Sequence, residues 1–256
     1  MTKATAIRPL IIFAGLIAIW QMIVSLTDVP RYILPGPADV LGAFDGRFDT
    51  LAENAGITLI EILAGFIIGT AVGMFSALTM TYYRSARRWM MPVLVVSQAI
   101  PVFALAPILT LWLGYGMESK IAMAVLIIYF PVTAAFHDGL RRTDPGWIDL
   151  AHVMNASRWS ELCQIRLPAA LPALGSGLRV AAAVAPIGAV VGEWVGSSAG
   201  LGYLMLHANA RVQIDLMFAA LFTLATMACV FYFSIDVIAR RLAPWQTELT
   251  LEKEDR

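Results

Sequence analysis

The chain has 256 residues, of which 59% are hydrophobic and only 14% are charged, and its mean hydropathy is +0.73. Soluble domains carry about a quarter charged residues, so this composition excludes an ordinary soluble domain and indicates a membrane protein. The net charge of zero gives no indication of nucleic-acid binding. Two cysteines at different depths and three scattered histidines predict neither a disulfide framework nor a metal site.

Six apolar stretches are long enough to cross a membrane as helices, which takes about 20 mostly apolar residues each. They cover residues 9–27, 57–80, 91–113, 121–136, 174–194 and 216–238. The first follows Lys3 and Arg8, as a cleaved signal peptide would, but it is long for a signal core and lacks a small-residue cleavage site. The sequence therefore favours an uncleaved first span and an all-α fold, with one transmembrane domain over residues 1–256.

Lysine and arginine residues divide unevenly between the two sides of this arrangement. With a cytoplasmic N-terminus, 14 of the 18 fall on the cytoplasmic side, where positive charge accumulates in membrane proteins. Only Arg31, Arg47, Lys120 and Arg211 fall outside. The sequence therefore predicts a multi-pass protein of the inner membrane with six spans and both termini in the cytoplasm.

Two connecting segments are too long to be simple loops. The outer segment, residues 28–56, contains three prolines, which favour turns and extended chain. The inner segment, residues 138–173, has apolar residues mostly at three- and four-residue steps, which indicates an amphipathic helix. Pro168 and Pro172 are expected to close this segment before the fifth span.

Small residues form a strip along the second span. Gly65, Gly69, Gly73 and Ala77 recur at four-residue steps, a spacing that lets two helix backbones approach closely in lipid. The strip predicts a tight helix bundle and says little about function.

Prolines and polar residues at membrane depth are the candidates for a translocation path. Prolines are expected to interrupt the third, fourth and fifth spans, and broken helices either line a transport cavity or are kinked structural helices. Glu193 is either functional, since charge is costly in a span, or structural, paired with Lys120 or capping the next helix. The candidate residues are Gln98, Pro101, Phe103, Pro186, Glu193 and Trp194, and the further interrupting prolines are Pro107 and Pro131.

Two enzymatic motifs are tested and excluded. The run Gly196-Ser197-Ser198-Ala199-Gly200 matches the G-x-S-x-G pattern of hydrolases, which requires a strand-turn-helix elbow. Here the run follows a membrane span, so a flexible turn is expected and no catalytic residue is predicted. No lysine follows a glycine, so a phosphate-binding loop is absent and any ATP must be hydrolysed by a partner.

The inner segment carries the most specific pattern in the chain. It reads Asp149-Leu150-Ala151-His152-Val153-Met154-Asn155-Ala156-Ser157-Arg158-Trp159 and ends Arg166-Leu167-Pro168-Ala169-Ala170-Leu171-Pro172. This pattern resembles the coupling loop of ABC importer permeases, although Asp-Leu replaces the usual Glu-Ala and Asn155 replaces the usual glycine. Asparagine tolerates left-handed backbone, so a turn at Asn155 is expected to persist.

The resemblance extends over nearly the whole chain, to permeases of importers for nitrate, taurine, aliphatic sulfonates and thiamine precursors. The stretches 103–107 and 185–194 most resemble the branch that transports the thiamine precursor hydroxymethylpyrimidine. The resemblance implies a type I importer permease fold. It also implies an ATPase-coupling helix at residues 145–160, whose contacts come from Asp149, Ala151, Met154, Asn155, Ala156, Ser157, Arg158 and Trp159.

The same resemblance implies the partners. Two copies of the chain would form the channel in membrane lipid, an ABC ATPase dimer would dock on the cytoplasmic side, and a periplasmic or lipid-anchored binding protein would dock outside. The chain itself would bind no cofactor and no nucleic acid. Two other classes compete: a membrane-embedded enzyme, which needs clustered acidic or histidine residues at one depth, and a stand-alone secondary transporter, which usually has acidic residues within a span.

The predicted topology can be tested by placing single cysteines in a background free of native cysteines. Positions Arg47 and Arg211 should label with a membrane-impermeant thiol reagent in intact cells, whereas Arg87 and Arg256 should label only after permeabilisation. Labelling of position 87 in intact cells would overturn the six-span arrangement.

Overall fold

The computed structural model describes residues 3–27 and 29–245, and within these ranges it contains helices and no strand. The outer and early helices are α1 Lys3–Thr27, α2 Pro37–Gly46, α3 Phe48–Tyr82, α4 Arg84–Ala99, α5 Val102–Leu113 and α6 Met117–Arg141. The later ones are α7 Pro145–Val153, α8 Arg158–Glu161, a π-helical turn Leu162–Arg166, α9 Leu167–Gly196, α10 Leu201–Ala210 and α11 Ile214–Leu242.

Each predicted span has a helical counterpart, but fewer than six meet the length and composition of a membrane span. Within the described ranges, four helices do so: α3, α6, the continuous helix Arg158–Gly196 and α11. The bent pair α4–α5 makes a fifth if it counts as one span, and the apolar stretch Ala14–Thr27 of α1 is shorter. The membrane class is confirmed, with four or five spanning helices in this part of the chain.

The predicted interruptions by proline are right at one position. The chain bends by 104° between α4 and α5, where Pro101 follows the non-helical Ile100. Pro107, Pro131 and Pro186 instead lie inside the continuous helices α5, α6 and α9, so the prediction that they interrupt their spans is wrong. Neighbouring helices in a bundle compensate for the one lost backbone hydrogen bond, so a proline need not break a membrane helix.

The outer segment is more helical than its prolines suggest. Pro30 accepts a hydrogen bond from Ile33 N–H at 2.8 Å in a turn, but α2 then begins at Pro37. Proline is favoured at a first helical position, and Asp39 accepts the Gly36 N–H at 3.0 Å to cap this end. Because α3 starts at Phe48, the predicted extended chain is confined to a short stretch before α2.

The inner segment is divided into pieces and does not form one helix. The predicted coupling helix of residues 145–160 corresponds to α7, a turn, and the start of α8. Asn155 has φ of 55°, so the predicted left-handed turn is confirmed. Pro168 and Pro172 do not close the segment, because the helix continues from the π-helical turn through both prolines into α9. Pro168 lies directly after the π-helical turn in this continuous helix.

The predicted close packing of the second span is confirmed. Side chains added at Gly65 or Gly69 would collide with Ala124 or Ile128 of α6. On the other side of α6, Ala124 lies against Gly188 of α9, where an added Cβ would come within 2.7 Å of its backbone. The backbones of α3, α6 and α9 therefore meet along α6, and small residues on both flanks make this approach possible.

A second apolar cluster joins the outer helices to α11. Its buried members are Val40, Ala43, Leu51, Leu201, Leu204, Ala208, Leu216, Ala219 and Ala220. Helix α1 contacts this region through Trp20, whose ring lies 5.9 Å from that of Phe218. The cluster places α10 beside α11 at the end of the bundle opposite to α7.

Candidate coupling surface and outer polar cluster

Local capping explains why the inner segment folds as two helices joined by a turn. Asp144 accepts the Gly146 N–H at 2.7 Å and caps α7, with Pro145 at its first position. Ser157 accepts the Ser160 N–H at 3.1 Å and caps α8. Side chains of these types satisfy the free N–H groups at helix starts, so residues 154–157 form the turn between two capped helices.

A buried carboxylate attaches this segment to the bundle. Arg166 contacts Glu161 Oε1 through both Nε and Nη2 at 2.6 Å, and its Nη1 donates to the Leu140 carbonyl at 3.4 Å. His152 Nε2 lies 3.5 Å from the other oxygen of Glu161. Ala151 is the buried residue of α7. The segment is therefore fixed to the end of α6 and to the start of the long helix that becomes α9.

The outward side of this segment is an exposed apolar surface, here called the coupling surface, formed by Trp147, Leu150, Val153, Met154 and Trp159. Val153 is 82% exposed, Met154 74% and Trp159 64%, and the Trp159 ring lies 6.3 Å from that of Tyr82. Exposed apolar side chains grouped in this way are typical of a site that contacts a partner protein or the membrane.

The structure distributes the predicted coupling residues unevenly. Met154 and Trp159 belong to the coupling surface, whereas Ala151 is buried and can act only by packing. Ala156 is half-buried. The polar residues of the predicted set are all exposed, namely Asp149, Asn155, Ser157 and Arg158. Sequence reasoning missed Trp147 and Leu150, which share the helical spacing of Met154, and it missed the anchoring residue Glu161.

The predicted translocation-path residues fall into two groups. Gln98, Pro101 and Phe103 lie together at the α4–α5 bend and are exposed. Pro186 and Glu193 are buried within the bundle, and Trp194 is half exposed at the end of α9. Only the first group and Trp194 therefore present surface to anything outside the single chain.

Glu193 belongs to a polar cluster at the outer end of the bundle, where it caps α10. Its Oε1 accepts the Thr58 hydroxyl at 2.6 Å, and its Oε2 accepts the N–H groups of Gly202 and Tyr203. Thr58 in turn accepts the Leu201 N–H at 2.8 Å. A carboxylate is stabilised at a helix start, where free N–H groups carry partial positive charge. The predicted capping role of Glu193 is confirmed, and its predicted alternative, pairing with Lys120, is wrong.

Two further features complete the cap of α10. Asn54 of α3 accepts the Gly200 N–H at 2.7 Å, so four successive N–H groups are satisfied by side chains of α3 and α9. Gly200 has φ of 111°, and a Cβ there would collide with the Glu193 carboxylate. The hydrolase-like run forms the turn that leads into this cap, and Ser198 is exposed without any strand in the described ranges.

Lys120 pairs with a residue that the sequence reasoning overlooked. Its Nζ lies 3.2 Å from Oε1 of Glu61, which is one turn beyond Thr58 on α3 and 0% exposed. Gly192 lets α9 pass within contact distance of the Lys120 backbone. The sequence offered a signal for this pair, because Glu61 is an acidic residue inside the second span and Lys120 stands at the start of the fourth. Glu61 is thus an acidic residue within a span, a feature that is usual in stand-alone secondary transporters.

The polar contacts of both sites hold helices in place. Within the described ranges, no three His, Cys, Asp or Glu residues are grouped to hold a metal ion. The buried charges are neutralised by each other or by helix N–H groups. Within the described ranges, the protein is a helical bundle with an exposed apolar surface at one end and a capped helix at the other.

Comparison with known proteins identifies the family. The chain belongs to the family described as the binding-protein-dependent transport system inner membrane component, whose model matches residues 69–248. It is a multi-pass permease subunit of an ABC importer in the inner membrane and is not itself an enzyme.

Several relatives match almost the full length. A "Probable ABC transporter permease protein" of Haemophilus influenzae is 54% identical over 239 residues, covering 93% of this chain and 98% of the relative. The formylaminopyrimidine transport permease protein ThiX of Halalkalibacterium halodurans is 34% identical, covering 94% and 96%. The riboflavin transport system permease protein RibX of Chloroflexus aurantiacus is 36% identical, covering 90% and 87%.

A solved structure shares the fold. A chain of the MetNI methionine ABC transporter in an inward-facing conformation superposes on this chain in two crystal forms. The TM-score is 0.57 at 21% identity for one form and 0.58 at 20% identity for the other. The first alignment covers 77% of this chain and 94% of that chain. The predicted type I importer permease fold is therefore confirmed.

Substitutions at Glu193 should separate a capping role from a role of its charge. Glu193→Gln keeps one oxygen that can accept the N–H groups of Gly202 and Tyr203. The new amide N–H can donate to the Thr58 oxygen, and the Thr58 hydroxyl then donates to the Asn54 carbonyl, which lies 3.2 Å away. We expect this variant to retain most transport. Glu193→Ala leaves these groups unsatisfied, and each should cost about 1–3 kcal/mol in the free energy of unfolding. Thermal unfolding and cellular uptake measure the two effects.

The matched control for the alanine substitution is Glu53→Ala, which removes an exposed carboxylate from the outer part of α3. It should leave both stability and uptake unchanged. A loss of uptake by more than about tenfold in Glu193→Gln at normal expression, about 1.4 kcal/mol of barrier, would contradict the capping role and assign the charge to substrate contact.

Proposed function

We propose that two copies of this chain form the translocation channel of an ATP-driven importer, each copy being one transmembrane domain of six spans with cytoplasmic termini. The chain binds no cofactor, and separate ATPase subunits hydrolyse ATP on the cytoplasmic side. A periplasmic or lipid-anchored binding protein delivers the substrate to the outer side. Family membership supports the importer class, and the coupling surface supports the assignment of the ATPase to the α7 end.

The observation that carries the coupling proposal is an exposed apolar surface on a firmly attached base. Met154 and Trp159 are exposed, yet the segment that bears them is held by the Glu161–Arg166 pair, and Arg166 donates to the Leu140 carbonyl of α6. A displacement of the bound ATPase would therefore move α6 and α9 and would not be absorbed by a flexible loop. ATP favours one arrangement of the channel only through such differential contacts.

A face of α9 supports the pairing of two copies. Val180, Ile187 and Trp194 recur at seven-residue steps and are all half exposed or more. Helix α5 packs beside α9 and presents Phe103 in the same exposed state. Symmetric pairing buries the same patch on both partners. The path candidates Phe103 and Trp194 would then lie close to the contact between the copies.

Replacing Trp159 with Ala tests the coupling proposal. Buried aromatic residues at the centre of interfaces carry much of the binding energy, on the order of 2 kcal/mol or more. We expect Trp159→Ala to weaken capture of the cognate ATPase by roughly thirtyfold while leaving the amount of permease in the membrane unchanged. Pull-down of the ATPase from detergent extracts of the native host provides the measurement.

The control is Trp112→Ala, which removes a Trp of similar exposure from α5, at its end away from α4. It should capture the ATPase as well as the wild type does. Undiminished recovery with Trp159→Ala, together with altered extraction from the membrane, would instead place Trp159 in the membrane interface, where tryptophan is common.

We infer a nitrogen heterocycle of the hydroxymethylpyrimidine type as the substrate. Two of the relatives described above are named for heterocyclic compounds, formylaminopyrimidine and riboflavin. The alignment with ThiX covers nearly the full length of this chain and of ThiX. The stretches 103–107 and 185–194, which resemble the thiamine-precursor branch, lie in α5 just after the bend and in the part of α9 that carries Glu193, the cap of α10. Taurine, aliphatic sulfonates and nitrate are the alternatives.

Uptake of labelled hydroxymethylpyrimidine decides the substrate. Host cells that lack this chain should lose most of the uptake, and expression of the wild-type chain should restore it. Excess unlabelled formylaminopyrimidine should compete with the label, whereas excess taurine should not. Undiminished uptake in the deletion strain, or competition by taurine, would contradict the pyrimidine assignment without affecting the ATPase result.

A further inference from the structure

A groove between α4 and α6 combines positive charge with apolar side chains. It is lined by Arg87 and Arg88 of α4, by Arg141 of α6, and by the apolar residues Met91, Val95 and Val96, and its volume is about 660 Å³. The arginines lie at the ends of the helices next to the coupling segment, since α4 begins at Arg84 and α6 ends at Arg141. The apolar residues lie one to two turns further along α4.

The positive charge of this groove is not neutralised by the protein. The ion pairs in the described ranges join other basic residues to carboxylates, and none includes Arg87, Arg88 or Arg141. Asp138, one turn before Arg141, instead lies 3.9 Å from the ring of His137. Three arginines without a carboxylate at one groove form a site complementary to an anion.

The neighbouring side chains indicate the depth of the groove in a membrane. Trp89 is next to Arg88 and 80% exposed, and tryptophan is enriched at the level of the lipid headgroups. Beyond it, Val93, Val95 and Val96 are exposed along α4 toward the bend. The groove therefore passes from headgroup depth at its arginines to hydrocarbon depth at its valines.

We propose that this groove binds an anionic phospholipid of the cytoplasmic leaflet, such as phosphatidylglycerol. Its phosphate contacts the arginines, whose planar guanidinium groups suit phosphate oxygens, and the first part of an acyl chain lies along Val95 and Val96. Basic pockets between transmembrane helices on the cytoplasmic side bind lipid headgroups of this charge. The site depends on the membrane placement of α4 and α6 and not on the proposed transport function.

Thermal unfolding of the purified permease in neutral detergent tests this site. A ligand that binds only the folded state raises the unfolding temperature in a saturable way. We expect dioleoyl phosphatidylglycerol to raise it, and phosphatidylcholine at the same concentration to leave it unchanged. The double variant Arg87→Gln/Arg88→Gln should need roughly thirtyfold more phosphatidylglycerol for the same rise. The control Arg47→Gln/Arg211→Gln, which removes equal charge elsewhere, should respond as the wild type does.

A second variant keeps the charges and fills the apolar part of the groove. Val95→Trp should reduce the rise in unfolding temperature caused by dioleoyl phosphatidylglycerol. It should leave the rise caused by short-chain dihexanoyl phosphatidylglycerol unchanged. Because it alters no arginine, it decides the matter if the double variant fails to fold, and an unchanged long-chain response would then overturn the proposal.

Three other outcomes would also overturn the proposal. An equal rise with phosphatidylcholine would remove the requirement for charge. An equal rise with inorganic phosphate would reduce the groove to a site for free anions. A double variant that keeps its lipid response but no longer captures the ATPase would assign Arg87 and Arg88 to the protein partner.

Discussion

The bundle depends on the close approach of three helix backbones around Ala124. Gly65 of α3 and Gly188 of α9 face this alanine from two sides, and neither position has room for a side chain. In lipid, helices gain little from burying apolar surface against each other, so dispersion contacts between closely packed backbones must hold them together. The coupling surface and the polar cluster around Glu193 lie at opposite ends of the bundle from this central contact.

The two ends are built differently because they meet different surroundings. At the outer end, Glu193 accepts helix N–H groups and Glu61 lies beside Lys120, an arrangement that reduces the cost of charge inside the bundle. At the inner end the polar contacts around Glu161 are buried, while apolar side chains such as Met154 face outward. Apolar surface that a single chain leaves uncovered is typical of contact with another protein or with the membrane.

Composition, periodicity and local chemistry were sufficient to predict the coarse fold. Features that depend on contacts between helices could not be predicted from the sequence. The helices, the glycine strip at Gly65 and the left-handed turn at Asn155 each follow from a short-range property, and each was predicted. The effects of Pro131 and Pro186 depend on neighbouring helices, which a single sequence does not reveal. The partner of Lys120 depends on tertiary contact between α3 and α6, so Glu193 was considered and Glu61 was missed.

The long helix Arg158–Gly196 gives the two ends a mechanical connection. It has 39 residues and no break, although it contains a π-helical turn and three prolines. At about 1.5 Å per residue, Glu161 near one end and Glu193 near the other are about 48 Å apart along the axis. A rigid rod of this length turns a tilt of about 5° at one end into a displacement of about 4 Å at the other. Helix α10, attached to the far end of the rod through its cap, would travel with it.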